Sequence, residues 1–124
     1  MGRYVTPAAG PSGTAASVDK QTALNATKVT VKASPGTLIS MFIQNSTAAV
    51  EFVQVFNALA ANVTVGTTTP TYVIPVPVTA QGGVTNFAPH IPIDHSTGIV
   101  IAATDAATGG TFTGTALIVT TVFA

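Results

Sequence analysis

The chain has 124 residues and no cysteine, and its formal net charge is zero because four basic residues are matched by four acidic ones. The length fits one domain with its own core, and the lack of cysteine excludes disulfides and thiolate metal sites. Only 6% of the residues are charged, where about 25% is usual for a soluble domain. Four basic residues cannot follow a phosphate backbone, so nucleic-acid binding is disfavoured. No apolar run approaches the roughly 18 residues of a membrane-spanning helix, so no membrane partner is expected.

Residues 1 to 26 differ in composition from the rest of the chain. They are rich in Ala, Gly, Pro and Ser and show no hydrophobic period, which is typical of extended or flexible segments. We therefore predict an extended N-terminal arm over residues 1 to 26 and a β-sandwich domain over residues 27 to 124. In the arm, Arg3, Tyr4 and Val5 place a cation, an aromatic ring and a β-branched side chain in a row. We expect these three residues to anchor the arm on a partner.

From residue 27 onward, short β-branched runs alternate with turn residues such as Ser34-Pro35-Gly36. Because no long helical pattern separates these runs, we predict an all-β fold, an antiparallel β-sandwich of jelly-roll type. One helical turn is predicted over residues 57–61. The predicted strands cover residues 28–33, 37–45, 50–57, 71–79, 84–87, 98–104 and 114–123.

Two of the predicted strands are apolar on both faces. A free sandwich usually alternates apolar and polar residues, so we expect their outer face to be covered by the arm, by a second subunit or by a larger assembly. Strict alternation places Leu38 and Phe42 opposite Ile39, Met41 and Ile43 in the first strand. In the second, it places Leu117, Val119 and Phe123 opposite Ala116, Ile118 and Val122.

The strand predicted over residues 71–79 contains Pro75 and Pro77. Proline has no N–H, and residues i and i+2 direct their backbone groups to the same edge of a strand. We predict that this strand pairs on one edge and is blunted on the other, which protects a sheet from open-ended pairing. The blunted edge is either an ordinary edge of a monomer or a contact in an assembly.

The densest polar cluster is HIPIDHSTG, which contains His90, Asp94 and His95. An imidazole–carboxylate set can bind Zn²⁺ or transfer protons. This spacing matches no metal motif, however, and Pro89 and Pro92 indicate a loop. We therefore expect these residues to make turn hydrogen bonds or to be merely exposed.

Other candidate groups are isolated in the sequence. Ser96 lacks the GxSxG context of a nucleophile, and Gly109-Gly110 lacks the Lys-Ser/Thr of a phosphate-binding loop. Neither Glu51 nor Asp105 has an acidic neighbour along the chain, so no carboxylate pair is predicted. We predict no catalytic residue, metal site or cofactor, and thus not an enzyme.

Four segments read together resemble a group of small structural proteins of tailed bacteriophages: KASPGTLISMFIQN, VEFVQVFNA, VGTTTPTYVIPVP and IDHSTGIVIAAT. The resemblance covers most of residues 28 to 123. It departs over residues 57–61, where other members carry more charge. The matching positions are Lys32, Ala33, Gly36, Asn45, Phe52, Gly66, Thr67, Pro70, Ile74, Pro75, Thr97 and Gly98.

This resemblance implies a virion structural protein, because members of the group serve as decoration, cement or fibre-associated proteins. We expect a capsid decoration (cement) protein on the phage head surface that forms a homotrimer and binds the major capsid protein. Apolar contacts across the seams of the shell would then resist the pressure of packaged DNA. The alternative is a receptor- or glycan-binding module of a tail or fibre, although the chain has no Trp and only Tyr4 and Tyr72 as tyrosines.

Overall fold

The structure, a computed structural model, describes residues 15 to 124. Within these residues, no helix has the length and apolar character needed to cross a membrane. Two single-turn 3₁₀ helices occur at Ala60–Asn62 and Thr79–Gln81. The strands are β1 (Ser17–Leu24), β2 (Val29–Lys32), β3 (Gly36–Gln44), β4 (Glu51–Phe56), β5 (Tyr72–Val76), β6 (Val84–Phe87), β7 (Ile93–His95), β8 (Ile99–Thr104) and β9 (Leu117–Phe123).

The strands form two antiparallel sheets, which confirms the predicted all-β sandwich. Sheet A has the order β1-β9-β3-β6, with β7 pairing with the start of β3, and sheet B has the order β2-β8-β4-β5. The pairs are nested along the chain, since β4 pairs with β5, β3 with β6 and β7, β2 with β8, and β1 with β9. A long two-stranded ribbon that folds over on itself in this way is a jelly roll.

The core lies between the sheets and is formed by side chains at alternate positions of the central strands. Each fully buried aliphatic side chain stabilises the fold by roughly 1.5–3 kcal/mol relative to an exposed one. The β-branched residues that dominate these positions also fit the pleated backbone of a sheet. The main members are Leu38, Met41, Ile43, Val53, Val55, Ile74, Val76, Ile99, Ile101, Leu117 and Val119.

A β-bulge in β3 changes which side chains reach the core. The pairing with β9 shifts between Leu38 and Ser40, so one extra residue interrupts the period of two. As a result, Leu38 lies on the core face together with Met41, and both are fully buried, whereas Phe42 points outward. The prediction that Leu38 and Phe42 share a face was therefore wrong.

β9 keeps the predicted alternation. Leu117 and Val119 are fully buried, and Ile118 between them is exposed. Val122 pairs directly with Val18 of β1, which is also exposed. Paired residues of antiparallel strands point to the same side of the sheet. Apolar side chains of sheet A therefore remain on its outer side.

β1 lies inside the segment that was predicted to be an arm. Residues 17–24 pair with β9, and the register shifts between Gln21 and Leu24. Their sequence, SVDKQTAL, has no apolar alternation, so the strand forms because β9 offers an open edge. The predicted boundary after residue 26 was therefore wrong: the sandwich includes β1 from Ser17 onward, and residues 1 to 14 lie outside the described residues.

The outer face of sheet B is covered by the chain's own loops. Gln54 on β4 donates hydrogen bonds from Nε2 to Thr104 Oγ1 and to the Gly109 carbonyl, both at 2.9 Å. Next to these bonds, a second apolar cluster packs the loop after β4 onto β8. Its buried members are Phe56, Val63, Val100 and Ala102. The two central strands of sheet B, β4 and β8, are thus covered on their outer side by the chain itself.

Candidate functional site

The outer face of sheet A, defined as the side of β1, β9, β3 and β6 that points away from the core, carries exposed apolar side chains from every strand. Val18, Phe42, Val84 and Ile118 are 66%, 41%, 41% and 37% exposed, respectively. They share one face because Gln44 pairs with both Val84 and Ile118, and directly paired residues point to the same side. Unlike sheet B, this face is not covered by loops of the described chain.

Charged groups are sparse on the outer face of sheet A. Lys20 points outward from β1, whereas the adjacent Asp19 points to the other side of that strand. At the margin formed by β7, Asp94 is exposed. Most other polar groups on the face are amides and hydroxyls, among them Gln44 and Asn86. Because the centres of protein interfaces are depleted of charge, this face can be buried against another protein at little electrostatic cost.

The outer face of sheet A is smaller than a complete protein interface. Four strands about 4.8 Å apart, each contributing about six residues, cover roughly 400 Å². A standard interface buries about 800 Å² on each partner. A standard interface centred on this face would therefore also include the loops around it.

A depression of about 300 Å³ lies at one end of the outer face of sheet A. Val84, Ala116 and Ile118 form its apolar lining, and Gln44 and Thr79 supply polar groups at its rim. A side chain of a partner protein fits a depression of this kind, since it offers apolar contact and a few hydrogen-bonding groups.

Pro75 lies on an edge strand, as the proline pattern predicted. It is exposed in β5, which is the last strand of sheet B and pairs with β4 on its other side. The Pro75 carbonyl accepts a 2.8 Å hydrogen bond from Thr85 Oγ1 on β6. The blunted edge thus lies beside β6 of sheet A, and without an N–H Pro75 cannot donate a ladder hydrogen bond to a further strand.

Pro77 has a different position from the one predicted. β5 ends at Val76, so the prediction that the strand extends to residue 79 was wrong. Asn45 Nδ2 donates a 3.0 Å hydrogen bond to the Pro77 carbonyl and a 2.9 Å bond to the Ala49 carbonyl. Pro77 is therefore held by the turn that follows β3 and does not blunt a strand.

His95 is buried and bonded on both ring nitrogens. Nδ1 lies 3.1 Å from the Gly98 carbonyl oxygen, and Nε2 lies 2.8 Å from Tyr72 Oη. Because a carbonyl can only accept, Nδ1 carries the proton and Nε2 accepts from the tyrosine hydroxyl. Burial lowers the pKa of His95 and raises the pKa of Tyr72. The neutral pair ties β7 to β5, which is a structural role.

The other members of the HIPIDHSTG cluster do not take part in the hydrogen bonds of the His95 ring. His90 is exposed in the loop between β6 and β7. Asp94 accepts a 3.0 Å hydrogen bond from Thr37 Oγ1, and Ser96 Oγ accepts a 3.1 Å bond from Asn57 Nδ2. Within residues 15 to 124, no group of three or more His, Cys, Asp or Glu side chains is placed to hold a metal ion.

Glu51 and Asp105, which the sequence separates by more than fifty positions, lie side by side. Phe52 of β4 pairs with Thr104 of β8. Because the two strands are antiparallel, Glu51, which precedes Phe52, lies beside Asp105, which follows Thr104. Glu51 is buried, and the Asp105 carboxylate accepts hydrogen bonds from Thr113 N at 3.0 and 3.1 Å. Burial and then repulsion by Asp105 raise the pKa of Glu51 to about 7. The pairing of β4 with β8 is the feature from which this contact could have been predicted.

No protein-family model matches the chain, and no curated protein or solved structure matches it. The predicted anchor residues Arg3, Tyr4 and Val5 lie outside the described residues. The jelly-roll fold and the outer face of sheet A are therefore the observations from which a function can be inferred.

Proposed function

We propose that the protein is a capsid decoration (cement) protein of a tailed bacteriophage that binds the outside of the head through the outer face of sheet A. The observation that carries the proposal is a sparsely charged, four-stranded face on which Val18, Phe42 and Ile118 remain exposed. Exposed apolar patches mark interaction sites. The resemblance to small structural proteins of tailed phages favours the major capsid protein as partner. The jelly roll is compatible with this role but does not by itself imply it.

The size of the outer face of sheet A favours binding by several copies at once. Burial of roughly 400 Å² on each partner, somewhat more than half of it apolar, contributes roughly 11 kcal/mol, whereas association costs about 4–15 kcal/mol. A single chain is therefore expected to bind weakly. A homotrimer that places three such faces on the shell gains affinity through its effective concentration. Cement activity then consists of apolar contacts that join neighbouring capsid proteins and resist internal pressure.

A second candidate function is a receptor- or glycan-binding module. In its favour, a shallow depression of about 470 Å³ is lined by Thr37, Asn57, Asp94 and Ser96. These polar side chains already bond to one another, Thr37 to Asp94 and Asn57 to Ser96. The ring of Tyr72 is stacked on Phe87, with centroids 6.0 Å apart. Because its polar groups are satisfied within the chain, this depression supports the second function less well.

Binding to phage heads tests the proposal. Heads are prepared from a phage mutant that lacks this protein, and the purified chain is added and co-sedimented with them. We expect the wild type to bind and the F42S/I118S double variant to bind at least about tenfold more weakly. Ile91→Ser is the matched control, because Ile91 is 75% exposed but lies outside the four strands. Equal binding of the double variant and the wild type would overturn the proposed surface.

A further inference from the structure

β1 leaves one edge of sheet A open. It is the first strand in the order β1-β9-β3-β6, and no strand within residues 15 to 124 pairs with its other edge. At eight residues it is the longest of the edge strands, and its sequence, SVDKQTAL, contains no proline. The backbone N–H and C=O groups along an edge of this kind can pair with a further strand.

The other strand edges are protected. β5 carries Pro75 and lies beside β6, since the Pro75 carbonyl accepts a hydrogen bond from Thr85 Oγ1. β2 has only four residues, and its register with β8 shifts between Thr30 and Lys32. Proline, short length and irregular pairing are common ways to prevent a strand edge from pairing further. Residues 17–21 of β1 have none of these features, so this edge is the best suited to a second strand.

The charges of β1 restrict how a second copy of the strand can pair with it. Two copies related by a two-fold axis pair antiparallel, and the residue on the axis lies opposite its own counterpart. An axis at Asp19 or at Lys20 opposes like charges, which is destabilising. An axis at Gln21 lies next to the shift in register between Gln21 and Leu24. An axis at Val18 opposes no like charges and keeps to the regular part of the strand.

The register centred on Val18 is also complementary between the two copies. Val18 is 66% exposed and packs on the Val18 of the second copy. Ser17 lies opposite Asp19 twice by symmetry, so each Ser hydroxyl can donate a hydrogen bond to a carboxylate. Lys20 lies opposite Ala16 and meets no cation. Because β1 then pairs with a copy of itself, no other partner is needed to cover the edge.

We propose that β1 pairs antiparallel with β1 of a second copy across a two-fold axis at Val18, which joins the two A sheets into one continuous sheet. The axis is perpendicular to the sheet, so the two outer faces of sheet A lie side by side and together present roughly 800 Å², the area of a standard interface. A two-fold contact closes on two chains. It is therefore distinct from the contact that would hold a trimer, and it would link one trimer to the next.

Cross-linking of single-cysteine variants of the full chain tests the proposal, because the natural sequence has no cysteine. In Val18→Cys the two Cβ atoms lie about 5 Å apart across the axis. In Thr22→Cys, the matched control on the same exposed strand, they lie roughly 27 Å apart, since eight residues separate them along the ladder. With a short bis-maleimide at a chain concentration of about 1 mM, we expect Val18→Cys to form covalent dimers at least about tenfold faster than Thr22→Cys.

Other outcomes overturn the proposed pairing. Equal rates for the two variants, or no dimer from Val18→Cys, exclude an axis at Val18. Dimers that appear only after deletion of residues 1 to 14 would show that this segment covers the edge instead. As a second measurement, Val18→Lys opposes two cations on the axis and should shift sedimentation toward smaller species, whereas Thr22→Lys should not; identical profiles contradict the pairing. Neither measurement uses phage heads, so the result is separate from that of the proposed function.

Discussion

Replacement of Glu51 by Gln should change how the stability of the protein depends on pH. The pKa of Glu51 rises from 4.5 to about 7 in the folded protein, so the folded state holds this proton more tightly than the unfolded state. The stabilisation is therefore complete below pH 4.5 and is lost as the pH rises through 7. Since one pKa unit corresponds to about 1.4 kcal/mol, the wild type should lose roughly 3 kcal/mol at most over this window. Glu51→Gln has no such dependence.

Urea denaturation monitored by circular dichroism, with a chelator present, measures this effect between pH 5 and pH 8.5. His95 acts in the opposite direction, because burial lowers its pKa and its contribution is lost as the pH falls. That contribution is common to both proteins and cancels in their difference. We expect Glu51→Gln to gain stability relative to the wild type as the pH rises. A difference in unfolding free energy that stays constant over the whole range would refute the reasoning.

Three further predictions concern the edge of sheet B, the buried histidine and the N-terminal segment. Pro75→Val restores an N–H on the edge of β5 and should increase aggregation in light-scattering measurements, whereas Pro77→Val should not; equal solubility of both variants contradicts the role of the edge. His95→Ala should lower the unfolding free energy by roughly 2–4 kcal/mol because it leaves a cavity and an unpaired Tyr72 hydroxyl, while His90→Ala should change it by less than about 0.5 kcal/mol in calorimetry. Deletion of residues 1 to 14 should leave the circular dichroism spectrum unchanged but weaken self-association in analytical ultracentrifugation, and an unchanged sedimentation profile would show that these residues make no contact between subunits.

Local sequence features were sufficient to predict the class of the fold. β-branched runs bounded by turn residues predicted seven of the strands, and for β6 the predicted range 84–87 matches the observed strand. Turn chemistry and a period of two depend on neighbouring residues only, so they can be read without knowing the partners of a strand. Pro75 likewise predicted an edge, because the missing N–H is a property of that residue alone.

Other features depended on which strands pair. β1 has no hydrophobic pattern of its own and is defined by its pairing with β9. The bulge between Leu38 and Ser40 arises from the register with β9, and it reversed the predicted orientation of Leu38. β7 is only three residues long, too short for a period to be recognised, and it forms because β3 extends past β6.

The sequence by itself determined the β-sandwich class, the sparse charge and the position of one blunted edge, because these follow from residue type and local order. Only the tertiary structure decided which apolar face stays uncovered and which polar groups meet. Glu51 and Asp105 come together because β4 and β8 are neighbours in one register, and Tyr72 reaches His95 because the two sheets pack face to face. A contact between residues far apart in the chain depends on strand order and register, which are set by the packing of the whole domain.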